Sequence, residues 1–166
     1  IPEPIHQVAS ANSAEARALL GKLEPDVVVV NGTRILSAQT LASTPAPFLN
    51  MHAGITPAYR GVHGGYWALA EGRPDQVGTT IHLIDEGIDT GGIIEQVHFD
   101  PSPSDTFWTY PYLHTAAGCP ALLRAVGIAL SGGVLTPKAP LEMRSLLRYH
   151  PTLWGYVRSG LARGAW

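Results

Sequence analysis

Apolar residues recur at helical spacing near the start of the chain, at Ala16, Leu19, Leu20 and Leu23. We therefore predict a helix over 13–22, begun by a capping box that Asn12 and Glu15 form. The next apolar segment, Val27–Val30, is an unbroken run of β-branched residues. Such a run is typical of a parallel strand that is buried on both faces, so helix and buried strand alternate from the outset.

Three later segments have the length and composition of strands. Phe48–His52 is short and apolar, and Gly78–Ile84 alternates with period two, which predicts two distinguishable faces. Ile93–Phe99 follows a turn-rich loop and is predicted to pair with the second of these strands in antiparallel fashion. A later helical segment is predicted in two pieces, with a break at Pro111 and a restart at Pro120. This order of helices and strands indicates an α/β fold.

The composition narrows the class of protein. A length of 166 residues, of which 45% are hydrophobic, suits one domain with a real core. The formal net charge of -2 gives no electrostatic reason to expect nucleic acid as a partner. Cys119 is the single cysteine, which excludes a disulfide framework and a thiolate metal site. Without a secretory start or a continuous apolar run of about 18 residues, we expect no membrane span and a cytoplasmic protein.

The chain is predicted to contain a catalytic domain over 1–135 and a C-terminal appendage over 136–166. Because the sequence begins at Ile1 in a proline-rich stretch, we expect the catalytic domain to lack its N-terminal part. Four arginines give the appendage a basic character that we interpret as a solvated helix face: Arg144, Arg148, Arg158 and Arg163. Its large apolar residues suit packing onto the domain, a homodimer contact or a membrane surface, and we favour the first.

Asn50 and His52 lie two residues apart on a predicted strand. Residues with this spacing point to the same side, so an amide and an imidazole meet at one place. Fixed donors aimed at a carbonyl oxygen stabilise the negative charge that grows there during nucleophilic attack, by about 3 kcal/mol each. Asp89, on a glycine-flanked loop, is the carboxylate that can fix the tautomer of His52. No serine or cysteine lies in a recognisable nucleophile elbow, which favours direct attack by a bound acceptor.

Three motifs occur in order along the chain. They are Asn50-Met51-His52, the loop from Pro57 to Gly61, and Asp85-Glu86-Gly87-Ile88-Asp89-Thr90-Gly91. With these motifs the chain resembles the folate-dependent formyltransferases, which act on methionyl-tRNA, glycinamide ribonucleotide or amino sugars on nucleotide carriers. The resemblance implies a Rossmann-like formyltransferase fold, with a mostly parallel sheet flanked by helices.

The resemblance also implies a function in one-carbon metabolism and a set of site residues. A formyl group would pass from formyl-tetrahydrofolate to a primary amine through a tetrahedral intermediate. Asn50 would hold the formyl oxygen, His52 would stabilise the intermediate, and Asp89 would orient His52 and relay the amine proton. The folate donor is expected against Arg34, Ile35, Leu36, Asp85, Glu86, Gly87 and Ile88. The acceptor is expected against Tyr59, Arg60 and Gly61.

The acceptor is expected to be a small amine, with an amino sugar nucleotide favoured over tRNA because the tail shows no evident tRNA-binding domain. Two other functions stay open. One is hydrolysis of formyl-tetrahydrofolate, in which water replaces the amine, and the other is a non-catalytic folate-binding module. His63 and His82 are interpreted as structural or exposed residues. A metal site made of these two and His52 lacks a recurrent ligand spacing, so no metal is predicted.

Overall fold

The computed structural model describes residues 4–139 and 142–166. The predicted start at Ile1 and part of the predicted junction with the appendage lie outside these residues. The helices within them are α1 (Ala14–Leu23), α2 (Ala38–Leu41), α3 (Gly64–Ala70), α4 (Tyr110–Leu130) and α5 (Leu153–Arg163). The strands are β1 (Val28–Val30), β2 (Phe48–His52), β3 (Arg60–Gly61), β4 (Gly78–Leu83), β5 (Ile93–His98) and β6 (Leu147–Arg148). Their alternation confirms the predicted α/β class.

A four-stranded sheet forms the centre of the fold, in the strand order β1-β2-β4-β5. β1 and β2 are parallel, whereas β4 runs antiparallel to both β2 and β5. The sheet is therefore mixed, and the expectation of a mostly parallel sheet was wrong for the described strands. The loop between β4 and β5 is short, and a loop of that length joins antiparallel neighbours because a parallel pair needs a long crossover.

β1 is less buried than its sequence suggests. Val29 is 46% exposed, and Val28 and Val30 are half-buried, so the prediction of a strand buried on both faces was wrong. β1 stands at the end of the strand order, where among the described strands only β2 pairs with it. A β-branched run indicates a strand, but the number of layers that cover it depends on the rest of the fold.

The alternation of side chains in β2 and β4 separates the core from the opposite face of the sheet. Leu49 and Ile81 are fully buried and pack in one cluster with small residues of α4. Because neighbouring residues of a strand point to opposite faces, Asn50, His52 and His82 lie on the other side. Because the apolar residues of β2 and β4 pack against the core, the alternate polar residues face the other side of the sheet.

α4 is one continuous helix of 21 residues, although a break was predicted at Pro111. Pro111 lies in the first turn, where the missing N–H has no intrahelical partner to lose. Pro120 lies inside the helix on its exposed side. By length and composition α4 is the one helix of the described residues that is long and apolar enough to cross a membrane. Here one face of it packs on β4 and β5.

α1 begins one residue later than the predicted capping box. Ser13 is the N-cap, and its hydroxyl accepts a hydrogen bond from the N–H of Ala16 at 3.1 Å. Asn12 instead ties α1 to the loop before α2, since its side chain donates to the carbonyl of Ile35 and accepts from the N–H of Ser37, both at 2.8 Å. Asn12, which was predicted to cap α1, therefore holds the loop before α2 in place.

The C-terminal segment, 142–166, packs onto the rest of the chain through a strand and a helix. β6 pairs in parallel with β3, and α5 contacts α3. Arg148 therefore lies on a half-buried strand, so its interpretation as part of a solvated helix face was wrong. Arg158 and Arg163 do lie on a helix, α5. The division of the chain at residue 135 stays a prediction.

Candidate active site

Asn50, His52 and His82 project from neighbouring strands at the same face of the sheet. Asn50 of β2 lies directly opposite His82 of β4. The amide nitrogen of Asn50 is 3.1 Å from Nε2 of His82, and Nδ1 of His82 is 2.7 Å from the carbonyl oxygen of Leu83. Since a carbonyl can only accept, Nδ1 of His82 carries a proton. Nε2 then accepts the hydrogen bond that Asn50 donates.

Asp89 joins these three side chains from the loop between β4 and β5. Its Oδ2 is 3.3 Å from Nδ1 of His52 and accepts the N–H of Gly61 at 2.8 Å. Its Oδ1 lies 3.5 Å from the amide nitrogen of Asn50 and 3.6 Å from Nε2 of His82. One carboxylate therefore contacts every other polar side chain of the site.

The loop that carries Asp89 is held in shape by its own side chains. Oδ1 of Asp85 accepts the N–H of Gly87 at 2.9 Å and the hydroxyl of Thr90 at 2.7 Å. Nη1 of Arg60 donates to the carbonyl of Ile88 at 2.9 Å. Asp89 itself has a φ of 50°, a left-handed conformation in which a residue other than glycine is uncommon. These bonds preorganise the loop at an unusual backbone conformation.

The second ring nitrogen of His52 is bonded as well. Nε2 lies 2.7 Å from the carbonyl oxygen of Tyr59, which accepts the hydrogen bond, so Nε2 carries a proton. Both nitrogens of the ring thus face an acceptor of the protein. Gly54 packs directly behind this contact, because a Cβ at that position would lie 2.8 Å from Nε2.

Burial and neighbouring groups together determine the protonation of His52 and Asp89. Burial lowers the pKa of His52 below 6.5, although the charge of Asp89 and the carbonyl of Tyr59 act in the opposite direction. Burial alone would raise the pKa of Asp89, but the groups around its carboxylate, the N–H of Gly61 among them, outweigh that effect and hold its pKa below the usual value. At neutral pH the pair is therefore a neutral imidazole beside a carboxylate.

The site opens into a cleft with a volume of about 550 Å³. The residues predicted to contact a folate mostly line it, namely Arg34, Ile35, Leu36, Asp85, Gly87 and Ile88. Glu86 does not line the cleft. Of the predicted acceptor residues Gly61 lines it, while Arg60 holds the neighbouring loop and the ring of Tyr59 lines a separate cavity.

Two parts of the site were not predicted. His82, interpreted as structural or exposed, is 3% exposed and contacts both Asn50 and Asp89. The period-two pattern of β4 shows that His82 shares a face with Thr80. That this face is the one with Asn50 follows only from the pairing of β4 with β2. The segment Leu147–His150 also lines the cleft, and no motif marks it.

His63, which was also interpreted as structural or exposed, lies at the edge of the site. Nε2 of His63 is 2.9 Å from Nδ1 of His150, and this pair connects the start of α3 to the C-terminal segment. Among residues 4–139 and 142–166, no group of three or more histidine, cysteine, aspartate or glutamate side chains is placed to hold a metal ion.

Known proteins are similar to this chain in sequence. A profile of the formyl transferase family matches residues 3–125. Methionyl-tRNA formyltransferase of Anaeromyxobacter dehalogenans (strain 2CP-1 / ATCC BAA-258) is 35% identical over 135 residues, which cover 81% of this chain and 43% of that protein. The chain thus spans less than half the length of this curated relative.

Two solved structures share the fold at somewhat lower identity. The formyltransferase PseJ from Anoxybacillus kamchatkensis, in complex with UDP-4,6-dideoxy-4-formamido-L-AltNAc and tetrahydrofolate, is 27% identical with a TM-score of 0.56, over 69% of this chain and 61% of its own. Glycinamide ribonucleotide transformylase 1 from Symbiobacterium toebii is 26% identical with a TM-score of 0.65, over 72% and 56%. These structures confirm the predicted formyltransferase fold.

Proposed function

Because this chain belongs to the formyl transferase family, we propose that it transfers a formyl group from formyl-tetrahydrofolate to a primary amine. The observation that carries the proposal is the convergence of Asn50, His52 and Asp89 at one cleft. An amide donor, a base and a carboxylate are the groups that acyl transfer to an amine requires when no covalent intermediate is formed.

The cleft suits a formylated folate as the donor. Its volume of about 550 Å³ lies within the range of roughly 300–1,000 Å³ that is usual for small-molecule sites. The segments 34–36 and 85–88 both contribute residues to its lining. The carboxylate of Asp85 already accepts hydrogen bonds from Gly87 and Thr90 of its own loop. The bound donor supplies an electrophilic formyl carbon, and the chain's own residues supply the remaining chemistry.

Asn50 has one amide hydrogen available for the formyl oxygen. It donates the other to His82, which fixes the orientation of the amide. The contact with Asp89, at 3.5 Å, is at the limit of a hydrogen bond and is the one that a formyl oxygen can replace. As the amine attacks, negative charge grows on that oxygen, and a fixed donor there lowers the barrier by about 3 kcal/mol.

His52 and Asp89 together form the base that accepts the proton lost by the amine. The imidazole is neutral at pH 7 because burial lowers its pKa. Once the pair has taken up a proton, both N–H groups of the imidazolium have acceptors in place, the carbonyl of Tyr59 and Oδ2 of Asp89. The protein therefore needs little rearrangement to stabilise the charged form.

For the acceptor we propose a small amine, with an amino sugar nucleotide as the favoured class. The likeness to PseJ, whose complex contains a formamido sugar nucleotide, supports this class. Methionyl-tRNA is a second candidate, because the identity to a methionyl-tRNA formyltransferase is higher, at 35%.

The test is the release of tetrahydrofolate from formyl-tetrahydrofolate, followed by absorbance. The protein is assayed without acceptor, with a panel of amino sugar nucleotides, with small amines and with methionyl-tRNA, and His52→Ala serves as control. Release with one amine class, lost in the variant, establishes the transfer and names the acceptor. Release without any amine identifies a hydrolase. Folate binding without release in any mixture overturns the catalytic proposal and supports a binding module.

A further inference from the structure

We propose that Arg148 and Glu71 are positioning residues for His52 and Asp89, acting through the main chain of Tyr59–Val62. The proposal rests on the proposed formyl transfer for its catalytic consequence, while the positioning itself is a property of the folded chain. Neither Arg148 nor Glu71 belongs to a predicted motif, and Arg148 lies beyond the residues that the family profile matches.

The segment Tyr59–Val62 holds both members of the catalytic pair by main-chain atoms. The carbonyl of Tyr59 accepts from Nε2 of His52 at 2.7 Å, and the N–H of Gly61 donates to Oδ2 of Asp89 at 2.8 Å. These two atoms belong to residues two apart in the chain. A shift of this short segment would therefore alter both contacts at once.

The C-terminal segment supports the other side of the same short stretch. The N–H groups of Arg60 and Val62 donate to the carbonyls of Leu146 and Arg148, each at 3.1 Å. Gly61 lies between them with a φ of 92°, and a Cβ there would collide with the carbonyl oxygen of Arg148. Contacts to the catalytic pair and contacts to the C-terminal segment thus alternate along β3, which makes β6 a backing strand.

The side chain of Arg148 fastens this backing strand to the ring of Tyr59. Its Nη2 forms an ion pair with Oε1 of Glu71, and Oε2 of Glu71 accepts the phenol of Tyr59 at 3.1 Å. The guanidinium also lies 5.7 Å from the ring centroid of Tyr59 and 5.6 Å from that of Trp67. The side chain of Arg148 is 19% exposed and that of Glu71 is 37% exposed, so the arginine side of this ion pair is shielded from solvent.

The network explains how a residue remote in sequence reaches the chemistry. Glu71 and Arg148 hold the Tyr59 ring, while β6 holds the peptides on either side of Gly61. The Tyr59 carbonyl can then keep its short contact with His52 in both protonation states. Without this support the backbone would sample other positions, and the orientation of the imidazole would be less well defined.

The experiment compares Arg148→Met with Arg158→Met. Arg158 is an exposed arginine of α5 without an ion-pair partner in the part of the chain that the structure describes. Its replacement therefore removes the same charge but leaves the contacts among Arg148, Glu71 and Tyr59 intact. NMR of ring-labelled histidine reports the His52 signals, assigned with His52→Gln. Steady-state assays give kcat and the KM for formyl-tetrahydrofolate.

In Arg148→Met we expect the His52 ring signals to shift and kcat to fall about tenfold, with a smaller change in the KM for the donor, whose cleft Arg148 also lines. Glu71→Gln and Tyr59→Phe should shift the same signals, and Arg158→Met should match the wild type. Unchanged His52 signals in folded Arg148→Met overturn the proposal. If that variant does not fold, Tyr59→Phe decides alone, since it removes only the hydroxyl bonded to Glu71. The signals are read without substrate, so they test positioning even if no formyl transfer is found.

Discussion

Nδ1 of His52 lies 3.3 Å from Oδ2 of Asp89, and the two side chains are only 5% and 13% exposed. Burial keeps the imidazole neutral, and the carboxylate is stabilised by its neighbours. The pair is therefore prepared to accept a proton, and the charge that results is compensated within the site. Rate, pH dependence and stability should each respond to this arrangement.

The pH dependence of kcat/KM should have its acidic limb below pH 6.5. His52 acts as a base only when neutral, and its lowered pKa places the loss of activity on the acidic side of the usual histidine value. The measurement is a pH–rate profile between pH 5 and 8. In Asp89→Asn the charge that raises the pKa of His52 is gone, so the limb should move further to low pH, at a reduced rate. A wild-type limb centred above pH 7 would contradict the assignment.

Asn50→Ala should lower kcat by about 10²–10³ because it removes the donor to the formyl oxygen. His82→Ala should cost less, about tenfold, because Asn50 remains but loses the bond that orients its amide. The measurement is kcat for each variant. His98→Gln is the matched control, since His98 is exposed on β5 of the same sheet. If His82→Ala were as active as the control, His82 would have no part in the site.

His114 should make the protein less stable in mild acid. Burial lowers the pKa of this histidine to about 4, and a proton taken up by nearby His52 acts in the same direction. The unfolded chain then binds a proton that the folded chain excludes, so stability is full above pH 6.5 and is lost as the pH falls towards 4. From the size of this shift, the loss is about 3 kcal/mol.

Urea unfolding at pH 7 and at pH 4.5 measures this difference. His114→Gln should show a smaller loss of stability between the two values than the wild type. Part of the dependence will remain in the variant, because burial also lowers the pKa of His52. An identical dependence in both proteins would show that His114 is not the responsible group.

Two glycine-to-alanine substitutions should act in opposite directions. Gly127 of α4 has open space around the position of a Cβ, so Gly127→Ala should stabilise the helix by about 0.5–1 kcal/mol. Gly54→Ala should destabilise the protein and lower kcat, because its Cβ would approach Nε2 of His52 and the carbonyl of Tyr59. Thermal unfolding and kcat of both variants check this. A Gly54→Ala protein with wild-type kcat would show that the His52 contact is not needed.

The sequence predicted those features of the site that depend on short-range geometry. Asn50 and His52 share a face because they lie two residues apart on β2, and this relation holds for any strand. Asp89 lies on a loop whose glycines and short polar side chains are typical of a turn. For these residues the pattern and the structure agree in placing them together.

The features that were missed depend on contacts between distant segments. His82 joins the site only through the register of β4 against β2, and Arg148 only through the pairing of β6 with β3. The exposure of Val29 reflects the place of β1 in the strand order. The break predicted at Pro111 failed because a proline interrupts a helix only away from its first turn, and that depends on where α4 begins.

The pairing of β3 with β6 implies that the structural support of the site extends beyond the residues that the family profile matches. A fragment that stopped at residue 125 would retain every predicted catalytic residue, yet the N–H groups of Arg60 and Val62 would lose their carbonyl partners. The segment after that point thus supports the site although the profile does not include it. Exchanging only this C-terminal segment between family members offers a route to tuning turnover while Asn50, His52 and Asp89 stay unchanged.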